Sequence, residues 1–130
     1  MNIKIPVDIE EEVRLALKDY LEIYCRPLPE NYNLPNILVK AAGGNSSNTI
    51  DSFIVSLEAR AADDSEAYEY LRTAIGLLEA QADNQVGVLR SVNVNSLGSW
   101  GTDPARPDLK LCTATVIITA HREQITIPES

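Results

Sequence analysis

The residues of this 130-residue chain that could do covalent or metal chemistry are few and poorly spaced for it. Its two cysteines, Cys25 and Cys112, stand 87 positions apart. That interval fits no zinc or iron–sulfur ligand spacing and builds no disulfide framework. Cys25 closes a helical pattern just before Arg26-Pro27. Cys112 falls within an apolar strand pattern, where a free thiol behaves as a small hydrophobe. Both read as inert thiols. His121, the one histidine, precedes Arg122 at a strand end, and no pattern brings a Ser or Cys nucleophile to it. Carboxylates are plentiful at Glu10-Glu11-Glu12, Asp63-Asp64, Glu66 and Glu69. They gather where helices start, so capping and the helix dipole account for them without an acid–base pair. Gly43-Gly44 leads into no helix and lacks the Lys-Ser/Thr of a phosphate loop. With no metal-ligand set, nucleophile elbow or arginine cluster, we expect no enzyme, no metal and no cofactor.

The elements that would position these residues follow from hydrophobic periodicity. Residues 8–24 read as an amphipathic helix, with Ile9, Val13, Ala16, Leu17, Tyr20, Leu21 and Tyr24 on one stripe. Asp8 is its N-cap and Glu11 completes a capping-box-like pair. Pro27 and Pro29 end it. A strand pair spans 36–62. Its first strand covers about 36–42, Gly43 to Asn48 turn, and from Phe53 the period is two. Phe53, Val55, Leu57, Ala59 and Ala61 then face the core, with Ser52, Ile54, Ser56, Glu58 and Arg60 opposite. A second helix spans 65–83 after the cap cluster Asp63-Asp64-Ser65, with Ala67, Tyr68, Leu71, Ala74, Ile75, Leu78 and Ala82 as its apolar stripe. Gly76 within it suggests a closely approaching neighbour. A second strand pair spans 86–120. Val86, Val88, Val92 and Val94 share a face with Arg90, and a run at 109–120, uncharged apart from Lys110, forms the central strand.

Between these two strands, residues 95–108 read as the longest irregular stretch, holding the only tryptophan. A loop of that length in a small domain suggests a binding element that orders on docking. The tail at 121–130 offers Gln124 to Pro128 as an edge strand or a pairing segment for a neighbouring subunit. The fold class is therefore α+β: a single domain over 1–130, in the order α-β-β-α-β-β, with a mainly antiparallel sheet and two helices packed on one face.

Bulk properties narrow the function classes. Eleven Lys and Arg against nineteen Asp and Glu give a net charge of −8, which argues against a surface that grips phosphates. The seven aromatics do not interleave with basic residues, so a stacking platform for single strands is not expected either. No apolar run approaches the roughly 20 residues that span a bilayer, so no membrane role is expected. Residues 1–24 lack a secretory leader pattern, which points to a chain made and kept in the cytoplasm.

Several segments together carry a family resemblance. They are Leu34-Pro35-Asn36-Ile37-Leu38-Val39 followed by Gly43-Gly44, then Val55-Ser56-Leu57-Glu58-Ala59-Arg60-Ala61. Ala67-Tyr68-Glu69-Tyr70-Leu71-Arg72 follows, with Ile75 and Leu78. Over roughly residues 8–120 the chain resembles the small tail terminator, or minor capsid, proteins of long-tailed bacteriophages and prophages. The resemblance implies a structural protein of the virion tail or neck, assembled in the host cytoplasm as a homo-oligomeric ring, typically a hexamer. Such a ring ends the tail tube and joins it to head-connector proteins. It implies no catalytic residues, and DNA that passes through without being specifically bound. Six copies at −8 each would carry −48, consistent with an acidic lumen. Residues 124–130 lie outside the shared region.

On this reading Glu58, Arg60 and Arg90 are candidates for the subunit interface. Leu97, Trp100, Asp103 and Arg106 are candidates for a partner-docking loop, Trp being a favoured interface anchor. Two alternatives stand beside it. One is another head–tail connector or tail completion protein of similar fold. The other is a small α+β ligand-binding domain with its pocket between the second helix and the sheet.

Overall fold

In the computed structural model, residues 1–47 and 50–129 are described, and they form nine elements. In chain order these are β1 (Asn2–Ile5), α1 (Ile9–Leu17), β2 (Ile23–Cys25), β3 (Asn36–Ser46) and β4 (Ile50–Ala61). Then come α2 (Asp64–Asp83), β5 (Leu89–Thr102), β6 (Lys110–His121) and β7 (Glu123–Thr126). The whole is one small α+β domain with two helices and a mostly antiparallel sheet. Five strands lie in the order β2-β3-β4-β6-β5, and β1 pairs with β7 in a separate two-stranded ribbon. Only β2 runs parallel to its neighbour.

α1 is half the length that periodicity predicts. Asp8 does cap it, accepting from the Glu11 amide at 3.3 Å. The Glu11 carboxylate does not return to close a capping box, because it pairs with Arg14 instead. The helix stops at Leu17, and the Ile23-Tyr24-Cys25 run, well suited to a strand, pairs with Ile37, Leu38 and Val39. Tertiary pairing here overrides a helical period that had included Leu21 and Tyr24. Tyr20, placed on the buried stripe by that period, is exposed. Glu10 fixes the helix to the sheet: its carboxylate accepts from the Ala41 amide at 2.9 Å and from Arg26.

β3 and β4 form a long hairpin that runs through the expected glycine turn. β3 continues to Ser46 across a register shift between Ala41 and Gly43. Gly44 lies so close to β4 that a Cβ there would stand 1.9 Å from the Ser52 carbonyl oxygen. Asn48, at the end of that turn, lies outside the described residues. Alternation in β4 is as the sequence suggests, with Val55, Leu57, Ala59 and Ala61 buried. Opposite them in β6 stand Val116, Ala114 and Cys112, all buried. The second helix, capped by Asp63 through the Glu66 amide at 2.8 Å, lays Leu71, Ala74, Ile75 and Leu78 over this face. Gly76 has no close neighbour: its Cβ position is open space, so the expected close approach is absent.

The largest departure is β5. Residues 95–102, read as irregular, continue the strand and pair with Lys110–Thr115 of β6. Three register shifts, at Leu89/Ser91, Val94/Ser96 and Leu97/Ser99, absorb its extra residues. These shifts also break the two-residue period, so Leu89 and Val92 share the buried face, whereas Val86 lies exposed in the turn before the strand. The turn at Asp103–Leu109 is all that remains of the expected loop. β6 is interior, flanked by β4 and β5, while β4 is the middle strand of the five. The tail is used within the chain: β7 pairs with β1 from Asn2↔Thr126 to Ile5↔Glu123.

Candidate functional site

The candidate residues separate into a buried ionic cluster and an exposed apolar ridge. Arg60 projects from the polar face of β4 but is only 4% exposed. Its Nε donates to Asp103 Oδ2 at 2.7 Å, and its Nη2 lies 3.2 Å from Glu58 Oε1. Lys40 Nζ reaches the other Glu58 oxygen at 2.7 Å, and Tyr32 lays its ring 5.8 Å from the Arg60 guanidinium carbon. Burial pushes the Asp103 carboxyl up, but the Arg60 guanidinium and the Ala105 and Arg106 amides outweigh it. The net effect holds Asp103 below the usual carboxylate range. Arg60 Nη1 and Asn36 Oδ1 are among the three buried side-chain polar atoms, with Tyr32 Oη, that find no hydrogen-bond partner among the described residues. Asn36 and Arg60 stand opposite each other in the β3–β4 register.

This arrangement draws three of the candidate contact residues into one intramolecular cluster. Arg60 is buried, with its guanidinium engaged by Asp103 and Glu58 of the same chain. Asp103, expected in a docking loop, is buried beneath the turn it begins. Glu58 links the cluster to Lys40 and is only partly buried. The cluster holds the 103–109 turn against β4 and so fixes the far end of β5. Arg106 is exposed and paired with Asp108 at 2.9 Å. Arg90 turns back on the chain, donating to the carbonyls of Gly87 and Leu89 at 2.8 and 2.9 Å.

Leu97 and Trp100 do lie at the surface, on a strand rather than a loop. Each is 51% exposed, and Val94 before them is 41% exposed. Trp100 rests one edge on Tyr68 of α2, with ring centroids 5.6 Å apart. These three side chains sit on an edge strand, half-exposed at the margin of the face that α2 covers. Periodicity could not find the row, because the register shifts separate its members by three residues instead of two.

A second exposed apolar surface had no sequence signal. Leu15, Tyr20 and Val86 line a groove of about 420 Å³ with Ala16, Leu77 and Asp19. Gln81 spans from α2 to the Ala16 carbonyl at its base. Another groove, of about 410 Å³, opens by the start of α1 between Val7, Ile9 and Phe53, but its carboxylates are engaged. Asp8 caps the helix, Glu10 holds Arg26, and Asp51 binds Arg122 and Ser46. The space between α2 and the sheet, where a ligand pocket was one alternative, is packed with Leu57, Leu71, Leu78 and Val116. Burial raises both thiols, at Cys25 with help from Glu11 and Glu10 and at Cys112 from Asp64, which disfavours the reactive thiolate.

Among the described residues no group of three or more His, Cys, Asp or Glu is placed to hold a metal ion, and no helix is long and apolar enough to cross a membrane. No family model and no curated protein matches the chain.

Proposed function

We propose that this chain is a structural morphogenesis protein of a long-tailed phage or prophage, forming an oligomeric ring that ends the tail tube and joins it to the head. The observation that carries this reading is the row Val94, Leu97 and Trp100. These are large apolar side chains held half-exposed on an edge strand paired to β6, the usual mark of a surface that another protein covers. The resemblance in the Leu34–Val39, Val55–Ala61 and Ala67–Arg72 segments supplies the family. The reading takes α-β-β-α-β-β with both helices on one face as the shared unit, and β1, β2 and β7 as this chain's additions. A net charge of −8 per copy suits a lumen through which DNA slides without being held.

The test is the native mass of the protein by light scattering over a range of concentrations. A mass near six times that of one chain, or one that climbs to it with concentration, is the expected result. A particle of that mass should appear in electron micrographs as a ring with a central hole, and a compact particle without one would overturn the reading. A head–tail connector or tail completion protein would use the same kind of surface. Binding to purified tail tubes, as against portal-bearing heads, separates those roles.

A further inference from the structure

Two covering segments meet at Arg60. The turn at Asp103–Leu109 is held there by the Arg60 Nε bond to Asp103. The segment 26–35 brings the Tyr32 ring to the guanidinium and is tied to β3 through Asn36, whose Nδ2 donates to the Asn33 carbonyl at 2.8 Å. Asn33 is fixed in its turn: its amide donates to Tyr24 Oη at 3.1 Å, and its side chain reaches Glu22 at 3.4 Å. Each side of this junction leaves one buried polar atom over. Arg60 Nη1 is a donor only, and Asn36 Oδ1 is an acceptor only. Neither side chain can turn to correct this. Arg60 has its Nε and Nη2 engaged by Asp103 and Glu58, and exchanging the Asn36 oxygen and nitrogen would set oxygen against the Asn33 carbonyl. Asn36 is fully buried, Arg60 nearly so, and the two are register partners, so both atoms belong to one interior region on the same face of β3 and β4.

We propose that a single internal water molecule joins these two atoms, accepting from Arg60 Nη1 and donating to Asn36 Oδ1. The chemistry of the ligand follows from what surrounds it. An anion would face the Asp103 and Glu58 carboxylates, which already balance the guanidinium, and a cation would face the guanidinium itself. An apolar group would leave donor and acceptor both unsatisfied. The site therefore takes a neutral group that accepts and donates, and the burial of both atoms limits it to the smallest one. The bridge completes a polar chain from Glu22 through Asn33, Asn36 and Arg60 to Asp103. It couples the 26–35 segment to the 103–109 turn, and it is independent of any assembly the chain forms.

The experiment is a crystal structure of the full chain at a resolution that shows ordered water. A water peak about 2.7–3.2 Å from both Arg60 Nη1 and Asn36 Oδ1 is the expected result. A direct bond between the two atoms would overturn the proposal, and so would a peak with the anomalous signal of chloride. The coupling is read in urea denaturation of Asn36→Leu, Arg60→Met and the double variant, with circular dichroism confirming that each is folded. Either single change orphans the remaining partner, so the double variant should lose less stability than the two singles combined. The difference should be about fivefold or more in the unfolding equilibrium constant. Strictly additive losses would overturn the coupling of the two segments.

Discussion

Arg60 occupies a position that strand alternation assigns to the solvent side, yet the turn beginning at Asp103 folds over it and seals it in. Its worth lies in what its removal would strand. Arg60→Ala leaves the Asp103 carboxylate buried without its cation, and loss of one member of such a pair costs about 3–5 kcal/mol. Urea denaturation should show that loss, and a change under about 1 kcal/mol would mean the cluster is wetter than its geometry indicates. The same contact carries a pH dependence. Asp103 and Asp51 are both held below the ordinary aspartate value of 3.8, Asp51 chiefly by its bond to Arg122. A carboxyl depressed by folding stabilises the native state above its unfolded value and loses that contribution as pH falls through its folded value. Stability should therefore decline as pH drops below about 4, and Asp103→Asn should flatten part of that decline. An unchanged pH profile in Asp103→Asn would refute the assignment.

The elements were legible in proportion to how much of them is buried. β4 and α2 appear almost where periodicity puts them, because each presents one face to the core and that demand writes a clean pattern of two or 3.6. β5 is an outer strand whose far half is largely exposed, with Trp100 resting against Tyr68 of α2. It needs few apolar residues, so its Ser, Gly and Asn content resembles a loop. α1 is shorter than its period suggests for the opposite reason: Tyr24 satisfies a helical spacing but pairs with Leu38 in the sheet, while Leu21 ends the turn that follows the helix. β1 is too short and too exposed to leave any signal. Of the candidate site, Leu97 and Trp100 were legible from residue type alone, as apolar residues among polar neighbours. The Arg60–Asp103 bond was not, because it spans 43 positions with no local motif. Gly76 supplies a test at this scale. It lies mid-helix on the solvent side with open space around its Cβ position, so Gly76→Ala should stabilise the domain by about 1 kcal/mol, read as a raised thermal midpoint. Destabilisation would place an unseen neighbour against that face.

At the scale of the whole molecule, a chain of net charge −8 must overcome its own repulsion to assemble. If assembly is carried by the apolar row Val94, Leu97 and Trp100, raising salt from about 50 to 500 mM screens that repulsion and should strengthen association. Weakening with salt would show that ion pairs dominate the interface instead. The β1–β7 ribbon has a different bearing, on mechanics. Met1 and Ile127 exchange backbone hydrogen bonds at its open end, and pairing runs inward from there to Ile5 and Glu123. Tension drawing those two ends apart loads one pair at a time, as in a zipper, so the ribbon yields to a small force. It would release about eight extended residues, roughly 25 Å of reach, before the β6 ladders bear any load. The domain thus carries its own slack, able to lengthen under strain and reseal while its sheet keeps its register.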